Sequence, residues 1–214
     1  MRQPELEDQD KCKGFDLLTR AGYSSGTNVV GIFYPKIRFA RLPAMLGCAV
    51  LGALLAGLYG ILHDQITYSI SHEYFTRLKF TQFHYADFGL PPRAFVAEIG
   101  FLATWWVGFL AGWFIARITV PGLPRAAAFR FSLHGFLIIF AFALAAAFVG
   151  YGLSRLRGPD YSSWQDRAST LGILDLSSFV RVAYIHNASY LGGLVGLVVA
   201  IIYLRRLRNS EQIR

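Results

Sequence analysis

The sequence predicts an all-α fold: an integral membrane four-helix bundle with a partly structured extracytoplasmic loop. Three observations predict it. Four apolar runs are each long enough to cross a bilayer, the charged residues collect between those runs, and lysine and arginine fall unevenly among the resulting loops. Of the residues, 54% are hydrophobic and 16% charged, where a soluble domain carries about a quarter charged. A water-soluble helical bundle would show a polar stripe every three to four residues, and none of the four runs has one.

Residues 1–41 read as a polar cytoplasmic tail. Its acid- and glutamine-rich start has the composition of a mobile segment. Between Gly14 and Gly31 the pattern suits a short amphipathic helix on the membrane surface, followed by a Gly/Ser loop, or equally a loose tail. No cleavable signal peptide is apparent, because no apolar core precedes residue 42. The first span, 42–62, carries no charge and is expected to act as the signal anchor.

The segment 63–93 follows. Ile66 to Ser71 alternate apolar and polar, which is strand-like. Ser71 then looks like an N-cap, with Glu73 in the first turn of a short helix running to Phe80. Seven aromatic residues, Tyr68 to Phe88, favour packing on the bundle or in the headgroup region over open solvent. Pro91 and Pro92 close the segment. The second span, 94–116, contains one charge, Glu98. The third, 131–153, contains His134, and the fourth, 183–204, starts with His186 and Asn187. All four exceed the roughly 20 residues needed to cross about 30 Å of hydrocarbon. The loop 154–182 is polar, with a short helix expected near Leu171 to Phe179, and residues 205–214 form a basic tail.

Lysine and arginine set the orientation. Lys36, Arg38 and Arg41 precede the first span, and Arg117, Arg125 and Arg130 flank the second link with no acid. Arg205, Arg206, Arg208 and Arg214 follow the fourth span. In 63–93 and 154–182 the signs balance. The positive-inside bias therefore places both termini in the cytoplasm. The net charge of +8 reads as orientation and contact with anionic lipid. Nucleic acid is not an expected partner, since no soluble domain presents a basic face. The expected partners are the bilayer and either a homo-oligomer or a larger membrane complex. Cys12 and Cys48 fall on different sides of the hydrocarbon boundary and cannot pair.

Small residues recur every four positions at Gly52, Ala56 and Gly60 and at Gly108 and Gly112, and in the fourth span Ser189 and Gly193 share a face with Gly196 and Ala200 close to it. Such faces allow close helix approach in a membrane. At their outer ends lie His63 and Asp64, Glu98, and His186 and Asn187, all at one depth in this topology. A carboxylate within a span costs several kcal/mol, so Glu98 needs a partner or a wet cavity. His63, Asp64, Glu98 and His186 are the candidate metal ligands, and a divalent metal such as zinc or iron is the cofactor that these residue types suit. A proton or ion relay and a small-ligand pocket use the same groups. The bland alternative is a polar lock between helices. His134 reads as an interface or packing histidine, and His72 and His84 as solvated. Trp105, Trp106 and Trp113 lie deep, which favours helix packing. No P-loop, GxSxG, HExxH or CxxC pattern is present, so a non-enzymatic role is favoured.

The run His63 to Phe83 (HDQITYSISHEYFTRLKFTQF), the Trp105–Trp106 pair and the run His186 to Tyr190 resemble segments of a set of uncharacterised bacterial multi-pass inner-membrane proteins. The resemblance implies a four-span bacterial inner-membrane protein and carries no catalytic role. The leading expectation is a structural or accessory membrane protein. The alternatives are metal-binding or proton- and ion-handling at the outer ends of helices 1, 2 and 4, and a small oligomeric transporter joined through the Gly108 and Gly112 face.

Overall fold

A computed structural model of the protein describes residues 39–156, 158, 161, 162 and 164–213, with side chains as far as Ser210. The N-terminal tail, including its candidate helix and Cys12, lies outside the described residues, as do Arg157, Asp160 and Arg214. The architecture consists of α1 (Leu42–Ile70), α2 (Pro92–Thr119), α3 (Arg125–Leu156), α4 (Gln165–Leu171) and α5 (Leu176–Ile213). Among the described residues 88% are helical and none forms a strand. All but α4 are long and apolar enough to cross a membrane, so this is a multi-pass membrane protein with an all-α bundle.

The bundle is two antiparallel hairpins, α1 with α2 and α3 with α5. Small residues set both. A Cβ on Gly60 would overlap the Gly100 carbonyl, and one on Gly108 would overlap the Gly52 carbonyl. The α1 and α2 backbones therefore touch, and Thr104 Oγ1 donates across the contact to the Ala56 carbonyl at 2.8 Å. In the second hairpin Gly150, Gly192 and Gly196 meet Tyr184, Phe142 and Ile139 in the same way. Close backbone approach of this kind replaces the hydrophobic driving force that lipid cannot supply. The hairpins join through an apolar cluster of Ile115, Phe131, Phe136 and Leu204 in one half. That half ends in Arg41, Arg125 and Arg208 and is called the arginine end. The opposite end carries residues 71–91 and 164–175 and is called the loop end.

The loop end departs from the sequence reading in two places. Ile66 to Ser71 is not a strand: α1 runs on to Ile70. Asp64, Thr67, Tyr68 and Ser71 are buried, the i, i+3, i+4, i+7 spacing of one helix face. The hydroxyls of Thr67 and Ser69 bond to carbonyls four residues back, at His63 and Gln65, which satisfies them inside the helix. Second, no helix spans Leu171 to Phe179. Gly172, at φ 63°, ends α4 in the left-handed conformation that glycine adopts freely, and α5 starts anew at Leu176. Asp175 caps it, accepting from the Ser178 amide at 3.0 Å and its hydroxyl at 2.7 Å.

The short helix after Ser71 is present. Tyr74 donates its amide to Ser71 Oγ at 3.3 Å, and the helix is π-wound over Tyr74–Lys79 before Phe80–Gln82. Tyr74 and Phe75 pack with Tyr68, Val96, Phe179 and Val182, so this aromatic segment roofs the loop end. Trp105 and Trp106 also differ from expectation. Both face outward from the bundle, and only Trp113 packs, against Met45, Ala116 and Val120. His134 is likewise exposed and has no packing role.

Overpacking the α1–α2 contact costs about 1–3 kcal/mol, so Gly60→Ala should lower the melting temperature in detergent by several degrees. Gly47→Ala, whose added Cβ meets nothing within 4 Å, should not lower it. Hydrogen bonds from Ser178 hold the Asp175 carboxyl below its ordinary pKa, so its contribution is present above the usual carboxylate pKa and fades as pH falls through the folded value. Asp175→Ala should cost about 1 kcal/mol at neutral pH, and the difference in melting temperature from wild type should shrink as the pH falls below the usual carboxylate range.

Candidate functional site

Two to three turns below the loop end, α1 and α5 bring together three groups that the sequence singles out. Asp64 is buried on α1, His186 is buried on α5, and His186 Nε2 lies 3.1 Å from Asp64 Oδ1. The His63 ring stands edge-on to His186, with centroids 4.8 Å apart. One ligand atom from each of His63, Asp64 and His186 lies within 4.8 Å of the other two. The helix period explains the grouping: the buried face of α1 that carries Gly57 and Gly60 continues through Asp64.

The protonation of His186 follows from its other nitrogen. Nδ1 lies 2.9 Å from the Val182 carbonyl one turn earlier. A carbonyl only accepts, so Nδ1 carries the proton and donates it. In the neutral ring Nε2 then presents a lone pair to the carboxylate. Two acceptors at 3.1 Å repel, and the contact is attractive only with a cation between or on them. A proton satisfies this, as a buried ion pair or a protonated carboxyl; so does a metal ion. Among the described residues His63 Nε2 is buried with no hydrogen-bond partner, although such groups are almost always satisfied.

Aromatic and hydroxyl groups enclose the cluster. Tyr74 stacks on His186 at 5.0 Å, and Tyr59 stacks on His63 at 5.6 Å. The Tyr59 hydroxyl and Ser189 Oγ are hydrogen-bonded at 2.8 Å, a second polar tie between α1 and α5. Burial, with the nearby Tyr190 and Asp64 charges, pushes the Tyr74 phenol up, so it stays neutral. Burial pushes the Lys79 ammonium down, partly offset by attraction to Asp64. Lys79 also lies over the Tyr74 ring at 5.8 Å. The roof is anchored separately. Glu73 accepts the Leu174 and Asp175 amides, the latter at 2.8 Å. It thereby places a carboxylate at the start of α5, where the helix dipole favours one.

Glu98 does not belong to the group. It sits half-buried on α2, and its Oε2 is buried without a hydrogen-bond partner among the described residues. Asn187 is exposed, turned from His186 by the 100° step of the helix. Arg93 instead bonds Gln65 and Ser69 of α1 and lies over the Tyr68 ring. Sequence reasoning missed Tyr59 and Tyr74. The first was legible, since it lies one turn before His63 on the same face. Tyr74 was not, because only the fold brings the roof over α5. His72 and His84 are exposed and take no part.

No protein-family model matches the chain, and no curated protein or solved structure matches it. The functional reading therefore rests on this geometry.

Removing one partner of a buried pair costs about 3–5 kcal/mol, because the other charge stays buried and uncompensated. His186→Ala alone should be strongly destabilising. The Asp64→Ala/His186→Ala double variant should be less destabilised than the two single losses sum to, with a coupling above about 1 kcal/mol. Denaturant titration of the four proteins in one detergent measures it, and strict additivity would show that the contact carries no energy.

Proposed function

We propose that this membrane protein binds a divalent transition metal of the zinc class at His63, Asp64 and His186. The observation that carries the reading is the His186–Asp64 contact. With Nδ1 donating to the Val182 carbonyl, the neutral ring turns the lone pair of Nε2 to the carboxylate, an arrangement that suits a cation between the two. The unpartnered Nε2 of His63 favours a metal over a shared proton. A proton needs two acceptors, whereas zinc takes three or four ligands and accepts this mixture of imidazole and carboxylate. The bond from His186 Nδ1 to a backbone carbonyl is also the outer-shell support that ligating histidines ordinarily have, fixing the tautomer and aiming the ring.

Donors in a tetrahedral zinc shell stand roughly 3.3 Å apart given bond lengths near 2.0 Å. The His186–Asp64 pair already matches that spacing, and His63 would need to approach by roughly 1.5 Å. With three protein ligands, one position stays open. Tyr59, Ser189 and Tyr74 are polar groups that stand beside the cluster. We further infer that the site lies on the extracytoplasmic side of a bacterial inner membrane. Arginines concentrate at the other end of the four helices, and the positive-inside bias would hold that end in the cytoplasm.

Protein stripped with EDTA and titrated with Zn2+ or Co2+ in detergent should take up roughly one ion per chain. Co2+ should give the intense visible absorption of tetrahedral coordination. His63→Ala should weaken binding by more than about tenfold while keeping the helical circular dichroism, and Glu98→Gln should bind as wild type does. Folded protein that takes up no ion, or a His63→Ala variant with unchanged affinity, would sink the metal reading.

A further inference from the structure

At the arginine end, far from the polar cluster, the surface between α1 and α3 is open. The opening is a groove of about 1010 Å³ between the start of α1, the 120–124 link and the start of α3. Its walls are apolar, with Leu51 and Leu123 on opposite sides and Phe129 standing exposed at its edge. Among the described residues its charged lining consists of Arg41 and Arg125, with no carboxylate. Arg41 is exposed at the α1 start, with one guanidinium nitrogen donating to the Val120 carbonyl at 3.1 Å. Among the described residues that is its one hydrogen bond, which leaves most of its five donors for another acceptor. Arg125 is exposed at the α3 start. Asp64, Glu73, Asp87, Glu98, Asp166 and Asp175, all the acids with described side chains, are at the loop end.

We propose that this groove is a binding site for an anionic phospholipid, with the headgroup phosphate at Arg41 and Arg125 and an acyl chain along α1 past Gly47. Two features commit it to lipid. The groove opens within helices long and apolar enough to lie in the hydrocarbon, so its apolar length faces acyl chains. Its mouth is positively charged without a compensating acid, the arrangement by which basic pockets between membrane helices capture acidic headgroups. Gly47 marks the path of the chain. It lines the groove, and a Cβ there would meet no atom within 4 Å.

That space supplies the test. Gly47→Leu adds a side chain into the groove without striking the protein, and leucine is the better helix former, so the fold should stand. Full-length protein purified in a mild detergent is incubated with equimolar phosphatidylglycerol and phosphatidylcholine and examined by native mass spectrometry. Wild type should retain phosphatidylglycerol in preference, and excess inorganic phosphate should not displace it. Arg41→Gln/Arg125→Gln should reduce that preference by roughly an order of magnitude. Gly47→Leu should reduce retention of phosphatidylglycerol while leaving the melting temperature unchanged or raised. Equal retention of the two lipids by wild type, displacement by inorganic phosphate, or a Gly47→Leu protein that retains phosphatidylglycerol as wild type does would each overturn the proposal.

Discussion

The contact between Asp64 and His186 is the constraint around which the loop end is built. Each hairpin is held by backbones brought together at glycines, and that packing is complete within the hairpin. Between hairpins the arginine half is joined by ordinary apolar packing. In the loop half the apolar cluster around Phe75 and Phe179 is joined by two polar contacts, Asp64 to His186 and Tyr59 to Ser189. A carboxylate there is tolerable only if water is kept out and a partner is kept in. The helical turns over 72–82 serve the first need, laying Tyr74 and Phe75 over the cluster. The Val182 carbonyl serves the second by fixing the His186 ring. Glu73, by gripping the start of α5, keeps roof and partner helix in one register.

How much of this was legible depends on the length scale of each signal. The four spans were, because the hydrocarbon imposes a demand over 20 residues that no local pattern can mask. The alternation from Ile66 to Ser71 misled because six residues sample too little of either period. Once Asp64 is counted, the buried set at 64, 67, 68 and 71 is plainly helical. Trp105 and Trp106 misled because depth along a span does not reveal which side of the helix faces lipid. Gly60, Gly100 and Gly108 decide that, by fixing which face of α2 turns inward.

Of the four candidate ligands, His63, Asp64 and His186 share a site and Glu98 stands outside it. The reason is azimuthal. The inward face of α2 is set by Gly100, and Glu98 lies two residues away, about 200° around the helix. Sequence placed all four at a common depth, but which faces meet depends on helix pairing. Here α1 and α5 belong to different hairpins, and their contact near the loop end is a product of the whole assembly.

The separation of the two site helices along the chain has a consequence for synthesis. His186 follows Asp64 by 122 residues, which at about 5–20 residues per second means roughly ten seconds of translation. Through that interval α1 and α2 can already be paired at their glycines, with the carboxylate of Asp64 lacking its mate. The nascent protein thus passes through a half-assembled state with an unmatched acid at the end of its first helix. Water, a proton or an insertion factor must shelter that acid until the last helix arrives. Closure of the polar contact is then the final event of biogenesis, and the roof over residues 72–82 can settle only after it.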